Sequence, residues 1–462
     1  MSRVRIGGGL GFYGDSYQPT IDLIARGDVQ YVGFDHLSEL TLAILAKDKA
    51  RNPALGYARD LGAILRELLP RALPRHVRLV SNGGGLNPLG AARVAAEVAA
   101  DLGLNLTIGV VLGDDVSSGV DAVVWEQASM AGAMAFANAY LGALPIKQAL
   151  QQGADLVLTG RVADSALFLG ALAHAWDWSL PGESAAGPPD WNLLAAGAVA
   201  GHLLECSGQV TGGNHSGDWA ALAGDLDRIG YPIAEVTPAG ALLITKTPAS
   251  GGRVTFDTVR EQILYEVHDP ARYYTPDVTV DLSQVSLHAA GVDRVVVDGV
   301  RGTAPLATYK VVAGYEDGFL GQGLVGFSWP DALPKARAAE QILRRQVAAR
   351  GWGDVELNAE YLGVNAFHGS LGGADAVGTE PNEVYLRMAL RTGDRGSAEA
   401  FARLFPPLAL SGPPTASGFI GVDRVRQLFR ARTGAIAHAS VDAGVRVRVA
   451  SAAAFRRDEA GA

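Results

Sequence analysis

The stretch VRIGGGLGFYGDSYQPTIDLIARGDVQYVGFD, residues 4–35, contains a strand, a glycine-rich turn, a helix and a second strand in that order. Its two ends are short apolar runs of the kind that form buried strands. Between them, PTIDLIARG begins with a proline and ends with a glycine, which mark the two ends of a helix. Two strands joined through a helix are typical of a parallel sheet covered by helices. The stretch therefore predicts an α/β fold.

The same alternation of strands and helices continues to about residue 180. The strands are nearly continuous apolar runs, as expected for parallel strands that are buried on both faces. Further strands are predicted at 76–82, 105–113 and 154–160, and further helices at 88–103, 127–152 and 163–176. We therefore expect a parallel-sheet core built from βα repeats.

The second half of the chain has a different pattern. From 278 to 327, short alternating runs separated by turns predict a β-rich segment, and a helix is predicted over 331–350. Later strands, including GVRVRVAS at 444–451, and a further helix predict a smaller α+β unit. We expect an α/β core domain, 1–350, with a ligand site at the C-terminal ends of its strands, and a small α+β C-terminal domain, 351–455.

The composition limits the classes of function. The 462 residues include 39 basic and 48 acidic side chains without a basic run, so nucleic-acid binding is not expected. The single cysteine excludes an internal disulfide, and the start of the chain leaves no room for a signal peptide. No apolar run is long enough for a transmembrane helix. We expect a cytoplasmic protein that acts on a small molecule and does not bind a membrane. Because homo-oligomers are common among proteins, we also expect this chain to form a homo-oligomer.

Glycines after the first strand have the spacing G-x-G-x-x-G, at Gly9, Gly11 and Gly14, and Asp35 ends the second strand. This combination is typical of a dinucleotide-binding turn, in which the N-terminus of a helix faces the pyrophosphate. Pro19 would then lie inside that helix, where it removes a hydrogen bond. An NAD(P)-dependent oxidoreductase is therefore an alternative interpretation.

A second glycine turn, SNGGGLNP at residues 81–88, repeats the arrangement of a strand, GGGL and a proline that begins a helix. Such glycines either let tight turns pack against each other or let the backbone approach a ligand. Because α/β sheets bind ligands at the carboxyl ends of their strands, the second interpretation predicts a shared ligand site. Its expected substrate-binding residues are Gly8, Gly9, Gly11, Asn82 and Gly84.

Polar side chains follow all the strands predicted in the first 180 residues: Asp15, Asp35, Glu39, Asn82, Asp114, Asp115, Arg161 and Asp164. An arginine at a strand end suits a carboxylate or phosphate, which it binds through two parallel hydrogen bonds. Asp15 and Asp164 are also placed to cap helices. Taken together, these residues predict a polar pocket in which Asp15 or Asp164 moves a proton and Arg161 binds substrate.

The segment HLLECSGQVTGGN, residues 202–214, places Glu205 at the end of a predicted helix. Beside Gln209 and Asn214, amide and backbone partners would tune its pKa for acid–base catalysis; the alternative is a surface or capping glutamate. Cys206 is more typical of a small buried apolar residue than of a nucleophile. Because the sequence has no motif such as H-E-x-x-H or C-x-x-C, no metal is expected.

Several of these segments occur together, in this order, in a known family. IGGGLGFYGD, SNGGGLNP, GADLVLTGRVADSALFLG, GHLLECSGQVTGGN and TVREQILYEVHDPARYYTPDV resemble the acyclic terpene utilisation (AtuA-type) family. The resemblance covers roughly residues 4–430. It implies bacterial catabolism of citronellol- and geraniol-like isoprenoids, alongside enzymes that act on acyl-CoA. It therefore implies a branched or isoprenoid acyl-CoA, or the free acid, as substrate, but it names no reaction.

Together, the residues and the resemblance predict a lyase or hydratase that acts on an acyl-CoA or a carboxylate. The expected catalytic residues are Asp15, Asp164 and Glu205. The expected substrate-binding residues are Gly8, Gly9, Gly11, Asn82, Gly84, Arg161, Gln209 and Asn214. A cofactor is not identified, and CoA would enter as part of a thioester substrate. The alternatives are the NAD(P)-dependent oxidoreductase and a non-catalytic acyl-CoA-binding subunit of a catabolic complex.

Overall fold

The structure, a computed structural model, describes residues 2–128, 130–183, 187–371, 380–420 and 425–457. Its strands, in chain order, are β1 (Val4–Leu10), β2 (Tyr31–Phe34), β3 (Arg78–Ser81), β4 (Thr107–Leu112), β5 (Val124–Trp125), β6 (Met134–Ala139), β7 (Leu156–Leu158), β8 (Pro232–Val236), β9 (Leu242–Lys246), β10 (Tyr273–Tyr274), β11 (Thr279–Asp281), β12 (Ser286–Ala289), β13 (Val295–Asp298), β14 (Arg301–Thr303), β15 (Thr308–Ser328), β16 (Val355–Leu362), β17 (Glu383–Thr392), β18 (Ser417–Ile420), β19 (Arg426–Ala437) and β20 (Arg446–Ser451). Its α-helices are α1 (Gln18–Arg26), α2 (Glu39–Arg51), α3 (Leu61–Ala72), α4 (Pro88–Asp101), α5 (Leu144–Gln151), α6 (Ala166–Trp176), α7 (Trp191–Leu204), α8 (Phe256–Leu264), α9 (Ala332–Arg350), α10 (Arg395–Ala402), α11 (Leu408–Ser411), α12 (His438–Asp442) and α13 (Ala452–Arg457).

The opening stretch folds as predicted, with β1 and β2 as parallel neighbours and α1 between them in the chain. Pro19 lies in the first turn of α1, where its missing N–H has no helical partner to lose. The second glycine turn also leads into a helix, because Asn87 Oδ1 accepts a hydrogen bond from Gly90 N at 3.0 Å and caps α4. Local sequence signals therefore set where these helices begin.

The largest sheet has ten strands among the described residues, in the order β12-β13-β9-β8-β1-β2-β3-β7-β4-β20. The strands from β1 to β4 in this order are parallel, as predicted. The strands on either side of them are antiparallel to their neighbours, and they include β20 from the far end of the chain. The prediction of a parallel-sheet core with βα repeats is therefore confirmed only in part, because the sheet is mixed. An apolar run indicates that a strand is buried, but it does not indicate whether the neighbouring strand is parallel or antiparallel.

The prediction of a long helix over 127–152 is wrong. The segment forms β6, a loop and the short helix α5 instead. Pro145 lies in the first turn of α5, whereas in the middle of a longer helix it would remove a hydrogen bond and clash with the preceding turn. Gly142 marks a close approach, because a Cβ at this position would lie 2.5 Å from the Asp277 carboxylate.

Helices cover both faces of the ten-stranded sheet. Val32 and Phe34 of β2 belong to an apolar core shared with α1, α3 and α4. A Cβ on Gly33, between them, would lie 2.5 Å from Phe168 of α6. Because alternate residues of a strand face opposite sides, α6 covers the face opposite α3. The sheet is thus the middle of three layers.

The chain divides into two compact units, one of Met1–Ala128, Ala135–Gly314 and Ala431–Ala462, the other of Ser129–Met134 and Tyr315–Arg430. The first contains the ten-stranded sheet. In the second, β17 pairs antiparallel with β16 and with the later part of β15. Helix α9, predicted from the sequence, packs its Leu343 into an apolar core with Leu386 and Met388 of β17. The domain boundary expected at residue 350 stays a prediction.

Candidate functional site

Polar residues gather where the parallel strands of the large sheet end. Asp15 follows β1, Asp35 follows β2, Asn82 follows β3, Asp114 follows β4 and Arg161 follows β7. Because parallel strands end at the same edge of a sheet, the fold places these residues along one rim. The rim was predicted from the sequence, and the contacts of each residue show which of them act together.

Asn82 and Asp35 form a buried pair at this rim. Asn82 Nδ2 donates to Asp35 Oδ1 at 2.6 Å, and Asn82 Oδ1 accepts from His36 N at 2.7 Å. Asp35 Oδ1 also accepts from Leu37 N at 3.1 Å. Asn82 therefore fixes Asp35, and its predicted contact with substrate stays a prediction.

Arg161 is buried at the same rim, with 2 % of its surface exposed. Its guanidinium donates to Leu37 O at 2.5 Å and to the Asp164 carboxylate. Its backbone N–H donates to Asp114 Oδ2 at 2.7 Å. The two terminal nitrogens of Arg161 thus hold Leu37 and Asp164, while its buried Nε has no partner among the described residues. Direct binding of substrate by Arg161 stays a prediction.

Tyr140 belongs to the same rim, although the sequence analysis did not select it. The Arg161 Cζ lies 4.1 Å and the Lys310 Nζ 4.7 Å from the centre of its ring, both within the range of cation–π attraction. Its hydroxyl donates to Glu39 Oε1 at 2.9 Å. Tyr140 follows β6, in the segment predicted as a helix, so the sequence carried no signal for its role.

Buried side chains near the end of α7 have polar atoms without a hydrogen-bond partner among the described residues: Glu205 Oε2, Gln262 Oε1 and both ring nitrogens of His202. Glu205 is 5 % exposed and His202 is 2 % exposed. His202 Nδ1 lies 3.0 Å from Glu205 Oε1, close enough for an ion pair but not aligned for a hydrogen bond. Because buried polar atoms in proteins are nearly always paired, we expect these atoms to form hydrogen bonds with a ligand or with water.

Glu205 ionises near neutral pH. Burial raises the pKa of Glu205 to about 7; His202 opposes this rise and the Asp164 carboxylate adds to it. Burial lowers the pKa of His202, but the Glu205 carboxylate reverses this, and the net pKa of His202 is raised. A carboxyl that titrates near pH 7 suits a general acid and base.

The pKa of Asp35 depends on the same neighbouring carboxylates. Burial raises the pKa of Asp35 well above its ordinary range, and the Asp164 and Glu205 carboxylates raise it further, while Arg161 opposes them. Arg161 and Asp164 are in direct contact, and the charge of Asp164 acts on both Asp35 and Glu205. We call Asp35, Arg161, Asp164 and Glu205 the acidic cluster.

Tyr273 and Cys206 border the acidic cluster. The Tyr273 ring packs on His202 with ring centres 5.2 Å apart. Burial raises the pKa of Tyr273, and the Glu205 and Asp164 carboxylates raise it further. Burial also raises the pKa of the Cys206 thiol, which keeps it protonated and unreactive. Tyr273 lies in the segment ARYYTPDV, whose aromatic pair was the only sequence signal for it.

The residues that donate hydrogen bonds to Asp15 are not members of the acidic cluster. Its Oδ2 accepts from Gly11 N at 2.9 Å and from Ser207 Oγ at 2.8 Å. Its Oδ1 accepts from Ser16 N at 2.7 Å and from Tyr231 Oη at 3.0 Å. The carboxylate therefore ties the loop after β1 to the turn after α7, and its predicted catalytic role stays a prediction.

A cavity of about 830 Å³ lies beside Asp15. Its walls include Gly11, Cys206, Gln209 and Asn214. Its described lining includes Cys206, which follows Glu205 in the chain, but none of the four residues of the acidic cluster. Gln209 and Asn214, predicted to bind substrate, thus face a space large enough for a small molecule, and that binding stays a prediction.

The glycines of the two turns have a packing role. A Cβ would lie 2.4 Å from Leu204 O at Gly8, 2.6 Å from the Phe34 ring at Gly9 and 2.4 Å from Thr159 O at Gly84. A Cβ at Gly11 would lie 2.8 Å from the Cys206 carbonyl carbon. These positions therefore need glycine so that neighbouring elements can approach, and their contact with substrate stays a prediction.

The geometry of the first turn does not favour a dinucleotide. Helix α1 begins at Gln18, well after β1 ends at Leu10, so the glycines are not at the helix N-terminus. Gly11 N, which would face a phosphate, donates to the Asp15 carboxylate instead. A pyrophosphate at this turn would meet that negative charge.

Within the described part of the chain, no group of three or more His, Cys, Asp or Glu side chains is arranged to hold a metal ion. No helix among the same residues is both long and apolar enough to cross a membrane.

Together, the fold and the site define a mixed α/β protein with buried acid–base groups where its parallel strands end. The family model of the acyclic terpene utilisation family protein AtuA matches residues 4–447, and the chain belongs to this family. The match confirms the resemblance found in the motifs, and it implies a role in acyclic terpene utilisation. Comparisons with curated proteins and with solved structures found no match.

Proposed function

We propose that this protein is a lyase or hydratase that acts on a branched or isoprenoid acyl group and that Glu205 moves the proton. The family supports the substrate class, because it implies a role in acyclic terpene utilisation. The environment of Glu205 supports the reaction type.

The buried environment of the Glu205 carboxyl carries the proposal. Glu205 is buried, its Oε2 has no partner among the described residues, and burial raises its pKa to about 7. At neutral pH such a carboxyl is present both with and without its proton, as a group that gives and takes protons must be. Its free oxygen gives a substrate or a water molecule a place to bind.

The neighbouring residues have supporting roles. Arg161 holds Asp164, whose side chain is 32 % exposed and so can meet a substrate from outside. His202 Nδ1 lies 3.0 Å from Glu205 Oε1, where a protonated ring would stabilise the ionised carboxylate. Gln262 Nε2 donates to His202 O at 3.1 Å, which fixes Gln262 and leaves its Oε1 free.

The charge of the acidic cluster favours a thioester over a free acid. Asp164 already occupies the Arg161 guanidinium, and burial and neighbouring carboxylates raise the pKa values of Asp35 and Glu205, so added negative charge is unfavourable here. A further carboxylate would be repelled, whereas a thioester carbonyl carries no charge. We therefore place the uncharged acyl thioester beside Glu205 and the rest of the substrate in the cavity beside Asp15.

In the hydration direction, Glu205 takes a proton from water while the water oxygen bonds to the β-carbon of an α,β-unsaturated thioester. The π electrons move to give an enolate, and the same proton is then delivered to the α-carbon. The product is the hydroxyacyl thioester, with one water added and no redox change. The lyase direction is the reverse of these steps.

Ligand binding tests the substrate class. We expect tiglyl-CoA, a branched unsaturated thioester, to raise the melting temperature of the purified chain, because a ligand at a hundredfold excess over its Kd adds about 2.7 kcal/mol of stability. Free tiglic acid, NAD and NADP serve as comparison ligands and should have no such effect. A rise with NAD or NADP and none with tiglyl-CoA would contradict the proposal.

A further inference from the structure

A second cavity, of about 330 Å³, lies in the first unit at the start of α5. Among its described lining residues none belongs to the acidic cluster or to the cavity beside Asp15. Its walls are about equally polar and apolar, and the apolar side chains are those of Leu141, Leu144, Pro145, Pro181, Pro276 and Val445. It is therefore a separate space with its own chemistry.

Two carboxylates face this cavity, Asp277 and Asp442. Asp277 is 3 % exposed, and both of its oxygens accept from one donor, Ala143 N, at 2.9 and 3.1 Å. Asp442 Oδ1 accepts from the Tyr309 hydroxyl at 2.7 Å. A carboxylate has about four lone-pair positions, so each one can accept further hydrogen bonds.

The described lining residues include no lysine or arginine. The cations nearest in the chain are used elsewhere: Lys147 Nζ donates to Trp178 O at 2.9 Å and to Glu183 Oε1 at 2.8 Å. Arg446 donates to the carbonyls of Ala443 and Val445 at 2.6 and 2.9 Å. No lysine or arginine of the described lining therefore compensates the charge of the two carboxylates, and burial raises the pKa of Asp277 to about 6.

His438 provides a third acceptor. Its ring stacks on Tyr309, with ring centres 4.0 Å apart. Its Nε2 is buried and has no hydrogen-bond partner among the described residues. A buried nitrogen without a partner costs stability, and a ligand that bonds to it recovers that cost.

We propose that this cavity binds a small primary ammonium compound with an apolar body. A primary ammonium has one positive charge and three N–H donors. Asp277, Asp442 and His438 Nε2 offer the matching negative charge and the acceptors, and the proline and leucine walls suit a short alkyl chain. Anionic ligands would be repelled by the same carboxylates.

Calorimetric titration of the full chain tests the site with n-butylammonium as the probe. We expect saturable binding. n-Butanol has the same body without the charge, and tetramethylammonium has the charge without N–H donors. Each should bind at least tenfold more weakly than n-butylammonium.

Variants locate the binding in this cavity. Asp442→Asn removes a charge from an exposed residue, and His438→Phe keeps the stacking ring while it removes Nε2. We expect each to weaken n-butylammonium binding at least tenfold. Asp257→Asn, on the exposed face of α8, is the matched control and should leave the affinity unchanged.

No saturable heat with n-butylammonium would overturn the proposal, and so would equal affinity for n-butanol. Unchanged affinity in both Asp442→Asn and His438→Phe would overturn it as well. The inference does not depend on the proposed enzymatic function, because the two sites share none of the residues named for them.

Discussion

At the scale of single residues, Glu205 shows how burial alone changes what a carboxyl group can do. An exposed glutamate is ionised at neutral pH and is a poor proton donor. In this chain Glu205 caps the C-terminal end of α7, and burial raises its pKa to about 7. His202 lowers the pKa of Glu205 without cancelling that rise. The residue can therefore give and take a proton in the physiological range.

The raised pKa of Glu205 makes stability depend on pH. The folded chain holds this proton more tightly than the unfolded chain, so the group costs nothing below pH 4.5 and destabilises the fold progressively as the pH rises to about 7. The difference between a pKa of 4.5 and about 7 corresponds to about 3 kcal/mol. We expect Glu205→Gln, which cannot ionise, to remove that loss.

Chemical denaturation of both proteins across this pH range measures the effect. The stability of the wild type relative to Glu205→Gln should fall as the pH rises. Glu97→Gln, on the exposed side of α4, is the control and should follow the wild type. Parallel curves for the wild type and Glu205→Gln would show that the Glu205 pKa is not raised.

Gly8 tests the packing role of the glycines. A Cβ at Gly8 would lie 2.4 Å from Leu204 O, in the residue just before Glu205. We expect Gly8→Ala to lower the free energy of unfolding by about 1–3 kcal/mol, because overpacking forces the backbone to move. Gly119→Ala is the control, since a Cβ there meets nothing within 4 Å. Equal thermal stability of the two variants would contradict this account of Gly8.

The sequence predicted part of the residue-level site. Glu205, Asp164 and Arg161 were selected because polar residues at strand and helix ends are a local signal. Tyr140 and Tyr273 were not selected as site residues, because their roles depend on contacts between segments far apart in the chain. The pairing of Arg161 with Asp164 and Leu37 uses both terminal nitrogens of the guanidinium and leaves only its Nε without a partner among the described residues. No local pattern predicts that a donor is already used.

At the scale of elements, the loop between β1 and α1 is held by the hydrogen bonds of Asp15. Four donors from Gly11, Ser16, Ser207 and Tyr231 converge on its carboxylate. This contact links the loop to the turn after α7, and that turn also borders the large cavity. The position of one cavity wall therefore depends on Asp15.

Asp15→Asn replaces one acceptor oxygen with a donor that faces other donors. We expect this change to lower the free energy of unfolding by about 1–3 kcal/mol, the cost of buried hydrogen-bonding groups left unpaired. Asp22→Asn, in an exposed ion pair with Arg26 on α1, should change stability little. If Asp15→Asn is as stable as the wild type, the carboxylate does not hold the loop.

The element predictions succeeded where the signal is local and failed where it is not. Asn87 and Pro88 marked the start of α4, and the helix begins there. The segment 127–152 was apolar enough for a helix, but Pro145 and Gly142 break it. The antiparallel neighbours of the parallel strands could not be predicted, because the direction of pairing is set by the path of the whole chain.

At the scale of the whole molecule, the parallel strands bring residues from distant parts of the chain to one rim and place α7 against it. Asp35, Glu205 and the Arg161–Asp164 pair come from three separate segments, yet each alters the pKa of another. The family match over residues 4–447 covers all of them. The account therefore depends on one claim, that this rim moves a proton on an acyl thioester.

Incubation of the purified chain with tiglyl-CoA, followed by mass spectrometry, tests that claim most directly. We predict a product heavier by one water with the wild type and with Glu97→Gln. With Glu205→Gln we predict a rate at least about a hundredfold lower, the usual contribution of a general acid or base. No hydrated product from the wild type, or an equal rate from Glu205→Gln, would contradict the account.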